Sequence, residues 1–153
     1  MVSSSSPHFR VANLENEWTL LAPKYVKYGL YEDNREVGYL VFDGAGSDIK
    51  SWFAASRLLD SRWPTMTPAA TYNVFSIDGY VDYAFCRRFH INRSYGGCSN
   101  DIGYLVVIDI QGNCNWDTHE TFPQFLYAKD NTYTNWGKED FGRADYIAVF
   151  ISS

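Results

Sequence analysis

The chain has 153 residues, a formal net charge of −5 and a sequence pI of about 5.0, enough length for one domain with its own core. The acidic balance excludes a nucleic-acid binder built on a basic stripe and argues against anionic membrane surfaces; no apolar run approaches the roughly 20 residues of a transmembrane helix. The aromatic fraction is 18%, from 12 Tyr, 10 Phe and 5 Trp, which tilts the chain toward strands and toward wet recognition sites, where a ring and a polar tip are both useful.

In chain order, residues 1–13 read as a loose tail or an edge strand, and residues 14–153 as one domain. Met1 to Pro7 is serine-rich with no apolar signal core, so a secreted protein would correspond to the mature chain behind an added Met. Strand-like runs follow at Trp18–Leu21, Tyr25–Tyr31, Val37–Phe42, Thr71–Ile77, Val81–Ile91, Gly103–Ile110, Pro123–Tyr127 and Ala144–Ile151. Turn signals separate them at Asp33-Asn34, Asp43-Gly44, Asp78-Gly79, Gly96-Gly97 and Gln111-Gly112-Asn113. Ile77-Asp78-Gly79-Tyr80 carries a hairpin signal. The continuous runs Tyr104–Ile108 and Tyr146–Ile151 read as strands that are central or buried on both faces.

One segment departs from this pattern. Asp48–Arg62 reads as a short helix, with Ile49, Trp52, Phe53, Leu59 and Trp63 on one face, Ser47 as N-cap and Pro64 as the stop. The expected fold is mainly β, an antiparallel β-sandwich-like single domain with one short α-helix near 48–62; a mixed α+β lectin fold is the alternative.

No nucleophile elbow, phosphate-binding glycine loop or His-Glu-x-x-His motif occurs, so binding without catalysis is expected. Cys98 and Cys114 flank a strand-like run and are read as a disulfide, in keeping with an extracellular composition. Cys86 is then a buried thiol or a link between chains. Asn92-Arg93-Ser94 is an N-glycosylation sequon.

Two polar loops combine rings with hydrogen-bonding groups, as a sugar site needs. The first holds Asn115, Trp116, Asp117, His119 and Glu120; the second holds Asp130, Asn131 and Trp136. Asp117 and Glu120 could also be read as a glycosidase pair, if they converged across a groove. Calcium suits the oxygen-rich turns, with Asp43, Asp48 and Asp101 as candidate ligands and Glu139-Asp140 as a further acidic pair.

The stretches Asp43–Asp48, Ser51-Trp52-Phe53, Arg57-Leu58-Leu59, Arg87–Arg93, Tyr95–Cys98, Gly103–Val107, Cys114-Asn115-Trp116 and Ala144–Phe150 resemble a secreted domain of marine invertebrates, the sea-anemone-type galactose-binding lectin. The resemblance spans Val37 to Ile151. It implies a secreted, dimeric carbohydrate-binding domain for terminal β-galactose on glycoproteins or glycolipids, with a calcium ion as possible cofactor. It is also consistent with pairing of Cys98 and Cys114. The alternatives are an extracellular matrix or adhesion module that binds protein, and a glycoside hydrolase.

Overall fold

A computed structural model of the protein describes residues 14–82 and 85–153. The expected tail or edge strand at 1–13 lies outside the described residues.

The chain opens with a short helix, α1 (Leu14–Leu21), and continues through eleven strands: β1 (Tyr25–Glu32), β2 (Arg35–Asp43), β3 (Leu58–Ser61), β4 (Val74–Ser76), β5 (Tyr80–Val81), β6 (Cys86–Ser94), β7 (Ile102–Ile108), β8 (Gln124–Ala128), β9 (Thr134–Asn135), β10 (Phe141–Ala144) and β11 (Tyr146–Ser152). They form two antiparallel sheets. The smaller has the order β11-β1-β2-β3. The larger has the order β10-β8-β7-β6-β4, with β5 on β6 and β9 on β7. The expected mainly β, sandwich-like architecture is the one found.

Alternation places Val26, Tyr28 and Leu30 of β1 and Leu40 and Phe42 of β2 on the inner face of the smaller sheet, all buried. They meet Ile91, Leu105 and Tyr127 of the larger sheet in one core. Tyr28 and Phe89 rings cross the interface at 5.1 Å. Burying such side chains contributes about 1.5–3 kcal/mol each, so this layer dominates the favourable side of folding. A second core, with Val106, Ile108, Leu126, Trp116 and Trp136, covers the other face of the larger sheet.

The β1–β2 hairpin turns at Asp33-Asn34, whose φ values of 52° and 60° give the left-handed pair that a tight hairpin needs. The expected hairpin at Ile77–Tyr80 does not form. β4 and β5 both pair with β6, and Asp78-Gly79 is a bend between two pieces of one edge, where Gly79 lies against the Arg87 carbonyl.

Among the described residues the single α-helix is α1, in the place of the strand expected at Trp18–Leu21. The segment 48–62 forms turns, a 3-10 turn at Ala55–Arg57 and β3. Asp48 caps a single turn, its Oδ1 accepting from the backbone N–H of Lys50 and Ser51 as a helix N-cap does, but the chain does not go on as a helix because Leu58–Ser61 pairs with β2 instead. Leu58 is buried and Leu59 exposed, the period of a strand. Trp52 and Phe53 still enter the core, and Trp52 stacks on Trp18 of α1 at 6.1 Å.

β7 is central and buried from Gly103 to Ile108, as its apolar run implied. β11 is not: it is the edge of the smaller sheet and mostly half-buried. Its apolar run covers the core with one face only, through Ile147, Val149 and Ile151.

Candidate functional site

Sequence reasoning placed the site on the loops at 115–120 and 130–136. The structure brings these loops together, but as core. Trp116 and Trp136 are 1% and 0% exposed and stack on each other at 5.7 Å. No ring face is left for a sugar. Asp117 is also buried, because it neutralises Arg87 at 2.8 Å. Asn115, His119, Glu120, Asp130 and Asn131 remain exposed, without an exposed tryptophan beside them.

Arg87 explains this burial. Its guanidinium lies between Asp117 and Asp101, 3.0 Å from the latter, and over the Trp116 ring at 4.3 Å. Asn92 donates to Asp101 and accepts from the Trp136 indole. The network ties both loops and the Cys98–Cys114 disulfide region to β6. The disulfide is formed as expected. Cys86 is a free, half-buried thiol, which burial and the neighbouring Asp109 push up in pKa, so it is a poor nucleophile.

The expected calcium ligands do not assemble. Asp101 is fully buried against Arg87 and Asn92. Asp43 and Asp48 accept from backbone N–H groups of their own turns. The Arg57 guanidinium takes the Asp43 and Ala45 carbonyls, putting a cation where calcium would draw oxygens. Among the described residues, no three His, Cys, Asp or Glu side chains group to hold a metal.

Two surfaces emerge that sequence reasoning did not single out. The first is the outer face of the smaller sheet. Strand register sets Tyr25, Lys27, Gly29 and Tyr31 of β1 beside Ser152, Phe150, Ala148 and Tyr146 of β11 on one flank, and Lys27 and Gly29 beside Val41 and Tyr39 of β2 on the other. Tyr25 and Phe150 are 43% and 44% exposed. Tyr31 and Tyr146 stack at 5.1 Å, with the Phe150 edge at 6.5 Å. Gly29 makes this possible, because the Tyr31 ring lies over the space a Cβ would need.

Polar groups sit between the rings. Lys27 pairs with Glu36 at 2.7 Å and lies over Tyr39. Tyr31 donates to Glu36, and Tyr39 donates to Asp60. Partial burial and these carboxylates raise both phenol pKa values, so both hydroxyls stay protonated donors at neutral pH.

The second surface is a groove of about 530 Å³ lined by Glu32, Tyr127, Lys129, Glu139, Phe141, Gly142 and Arg143. Glu32 follows Tyr31 directly in β1. Bare Gly142 lets the Tyr127 ring lie across β10, and Tyr127 donates to Glu32 Oε1 at 2.8 Å. Burial, then this carboxylate, pushes the Tyr127 phenol up to about 12.

The signal for the ring face was available in the alternation of Tyr25, Lys27, Gly29 and Tyr31. The pairing of β1 with β11, which assembles it, was not. No protein-family model matches the chain, and neither curated proteins nor solved structures gave a match. No helix among the described residues is long and apolar enough to cross a membrane.

Proposed function

We propose that the protein is a secreted glycan-binding domain that holds terminal galactose-type sugars without turning them over. The observation that carries this reading is the outer face of the smaller sheet, where exposed and half-exposed rings alternate with charged and hydroxyl groups. A pyranose has an apolar C–H face and a rim of hydroxyls. Tyr25, Tyr31, Tyr146 and Phe150 offer surfaces for the first, and Lys27, Glu36 and Asp60 offer partners for the second. The resemblance to galactose-binding lectins agrees with this reading, and the disulfide fits an oxidising compartment. A single shallow sugar site binds weakly, so a dimer would raise avidity.

A labelled-protein glycan array, run in calcium and in EDTA and repeated with Tyr31→Ala, tests the reading. Signal on terminal galactosides that weakens in Tyr31→Ala supports it. Loss of signal in EDTA would bring calcium into the site. A blank array in both buffers would sink it.

A second reading, a protein-binding adhesion module, is favoured by β11. That edge strand pairs with β1 without a register break and carries no charged residue from Tyr146 to Ser152. Its own residues include none of the charges or prolines that usually keep edges from pairing with other chains. A blank array together with saturable binding to a matrix protein would favour this reading.

A further inference from the structure

We infer that the groove beside β10 is an anion subsite, which takes the carboxylate or sulfate group of an acidic saccharide. The inference rests on the glycan-binding reading and extends it from neutral galactosides to charged ones.

Arg143 carries the argument. Its guanidinium is half-buried, held by a hydrogen bond from Nη1 to Gln124 Oε1 at 2.7 Å and by its position over the Phe141 ring at 5.2 Å. Two contacts from different elements fix the planar fork, so little freedom is lost when it grips an oxyanion. No Asp or Glu among the described residues forms an ion pair with it. Arg87, by contrast, has two buried carboxylates, and Arg88 has Asp109 at 2.9 Å. The Arg143 charge is thus partly desolvated, hydrogen-bonded to a neutral amide oxygen and met by the Glu139 charge only at a distance, without an ion pair. Burial lowers its pKa accordingly. An arriving anion would supply the missing partner, and bidentate Arg–oxyanion pairs are among the strong hydrogen bonds.

The rest of the groove suits a ligand with an anionic end and a neutral body. Lys129 is a second cation, tied only to exposed Asp140 at 3.0 Å, a pair that exchanges readily. Glu32 is already engaged by the Tyr127 hydroxyl. Glu139, exposed and in a left-handed conformation, acts on Arg143 through its charge without pairing. It is the natural competitor of the ligand. The volume lies within the usual range for small-molecule sites, about 300–1,000 Å³, and the Tyr127 and Phe141 rings give the sugar body apolar contact.

The test is titration of the whole chain with galactose, galacturonic acid and 6-sulfogalactose, followed by calorimetry and by the NMR signal of the Arg143 Nε–H. The acidic sugars are expected to bind about tenfold or more tighter than galactose, and the relative strengths of the two show whether carboxylate or sulfate is preferred. Arg143→Met should abolish that preference and leave galactose binding unchanged. Arg143→Lys, the fallback if the Met variant misfolds, should retain part of it. Glu139→Gln should strengthen acidic-sugar binding. Equal affinity for all three sugars, with Arg143→Met changing nothing, would overturn the inference while the glycan reading stands. If no sugar binds, that reading falls, and sodium sulfate decides the anion site. A saturating shift of the Arg143 Nε–H keeps the site, and no shift removes it.

Discussion

The Trp136 indole donates to Asn92 Oδ1 at 2.9 Å, and the same amide donates through Nδ2 to Asp101 and to the Ser94 carbonyl. Asn92 is fully buried, so the sequon at Asn92-Arg93-Ser94 is closed in the folded protein. Glycan is added to the unfolded chain, and a chain carrying one at Asn92 could not close this network, so folded protein from glycosylating cells is expected to carry none there, as intact mass will show. Asn92→Ala leaves an indole and a carboxylate short of a partner and should cost about 1–3 kcal/mol in urea unfolding. A folded protein with a glycan on Asn92 would contradict this arrangement.

Arg87 stands between two buried carboxylates, so its removal strands both. Arg87→Met should lose about 3–5 kcal/mol of stability. Lys50→Ala, which breaks the exposed Lys50–Asp78 pair, should change stability by less than about 1 kcal/mol. Comparable urea midpoints for the two variants would show that the buried network is not what holds the loops.

His90 is 2% exposed, and neither ring nitrogen has a hydrogen-bond partner. Burial, and then the Arg87 charge, depresses its pKa from 6.5 to about 3. In the unfolded chain the ring takes a proton below about pH 6.5, while the folded chain does not. Stability from this residue is therefore whole above that pH and falls as pH drops toward about 3, with a slope of at most about 1.4 kcal/mol per pH unit. Asp101 acts in the opposite direction: burial raises its carboxyl pKa, so near and below pH 4 its earlier protonation favours the fold. His90→Phe should flatten the acid limb of the midpoint-versus-pH curve. An unchanged limb would assign acid sensitivity to other groups.

The Cys98–Cys114 bridge closes a loop with a separation of 16 residues. Chain-entropy arguments give about 3 kcal/mol for a loop of this size. The Cys98→Ala/Cys114→Ala double variant should unfold at correspondingly lower urea. An unchanged midpoint would mean that the Arg87 network alone fixes the 97–117 segment.

The fold class was legible because Tyr25–Tyr31, Val37–Phe42 and Gly103–Ile110 show their pattern locally. The helix was misplaced because Trp52, Phe53 and Trp63 fit a helical face by spacing, while residues 58–61 find a strand partner in β2 that no local pattern announces. The loops around Trp116 and Trp136 looked like a sugar site because rings beside Asn and Asp have that composition whether they face water or a buried arginine. What separates the cases is Arg87 in β6, distant in sequence from both loops. Only the β1 half of the ring face showed in the sequence, and the groove not at all, for a related reason. Each is assembled from β1 and from strands near the end of the chain, and such pairings leave no local trace.

That pairing also sets an order of events in the life of the chain. Asp33 N–H donates to Asp145 across 112 residues, and β1 lies between β2 and β11. The β1–β2 hairpin joins neighbours in sequence, but the other flank of β1 has no partner until β11, far along the chain, is in place. Until β11 pairs, Tyr28 and Leu30 belong to an unfinished sheet. The surface proposed to meet sugar comes into being only when β11 pairs with β1, so a chain cut before Tyr146 would be both blind to ligand and exposed to chaperones.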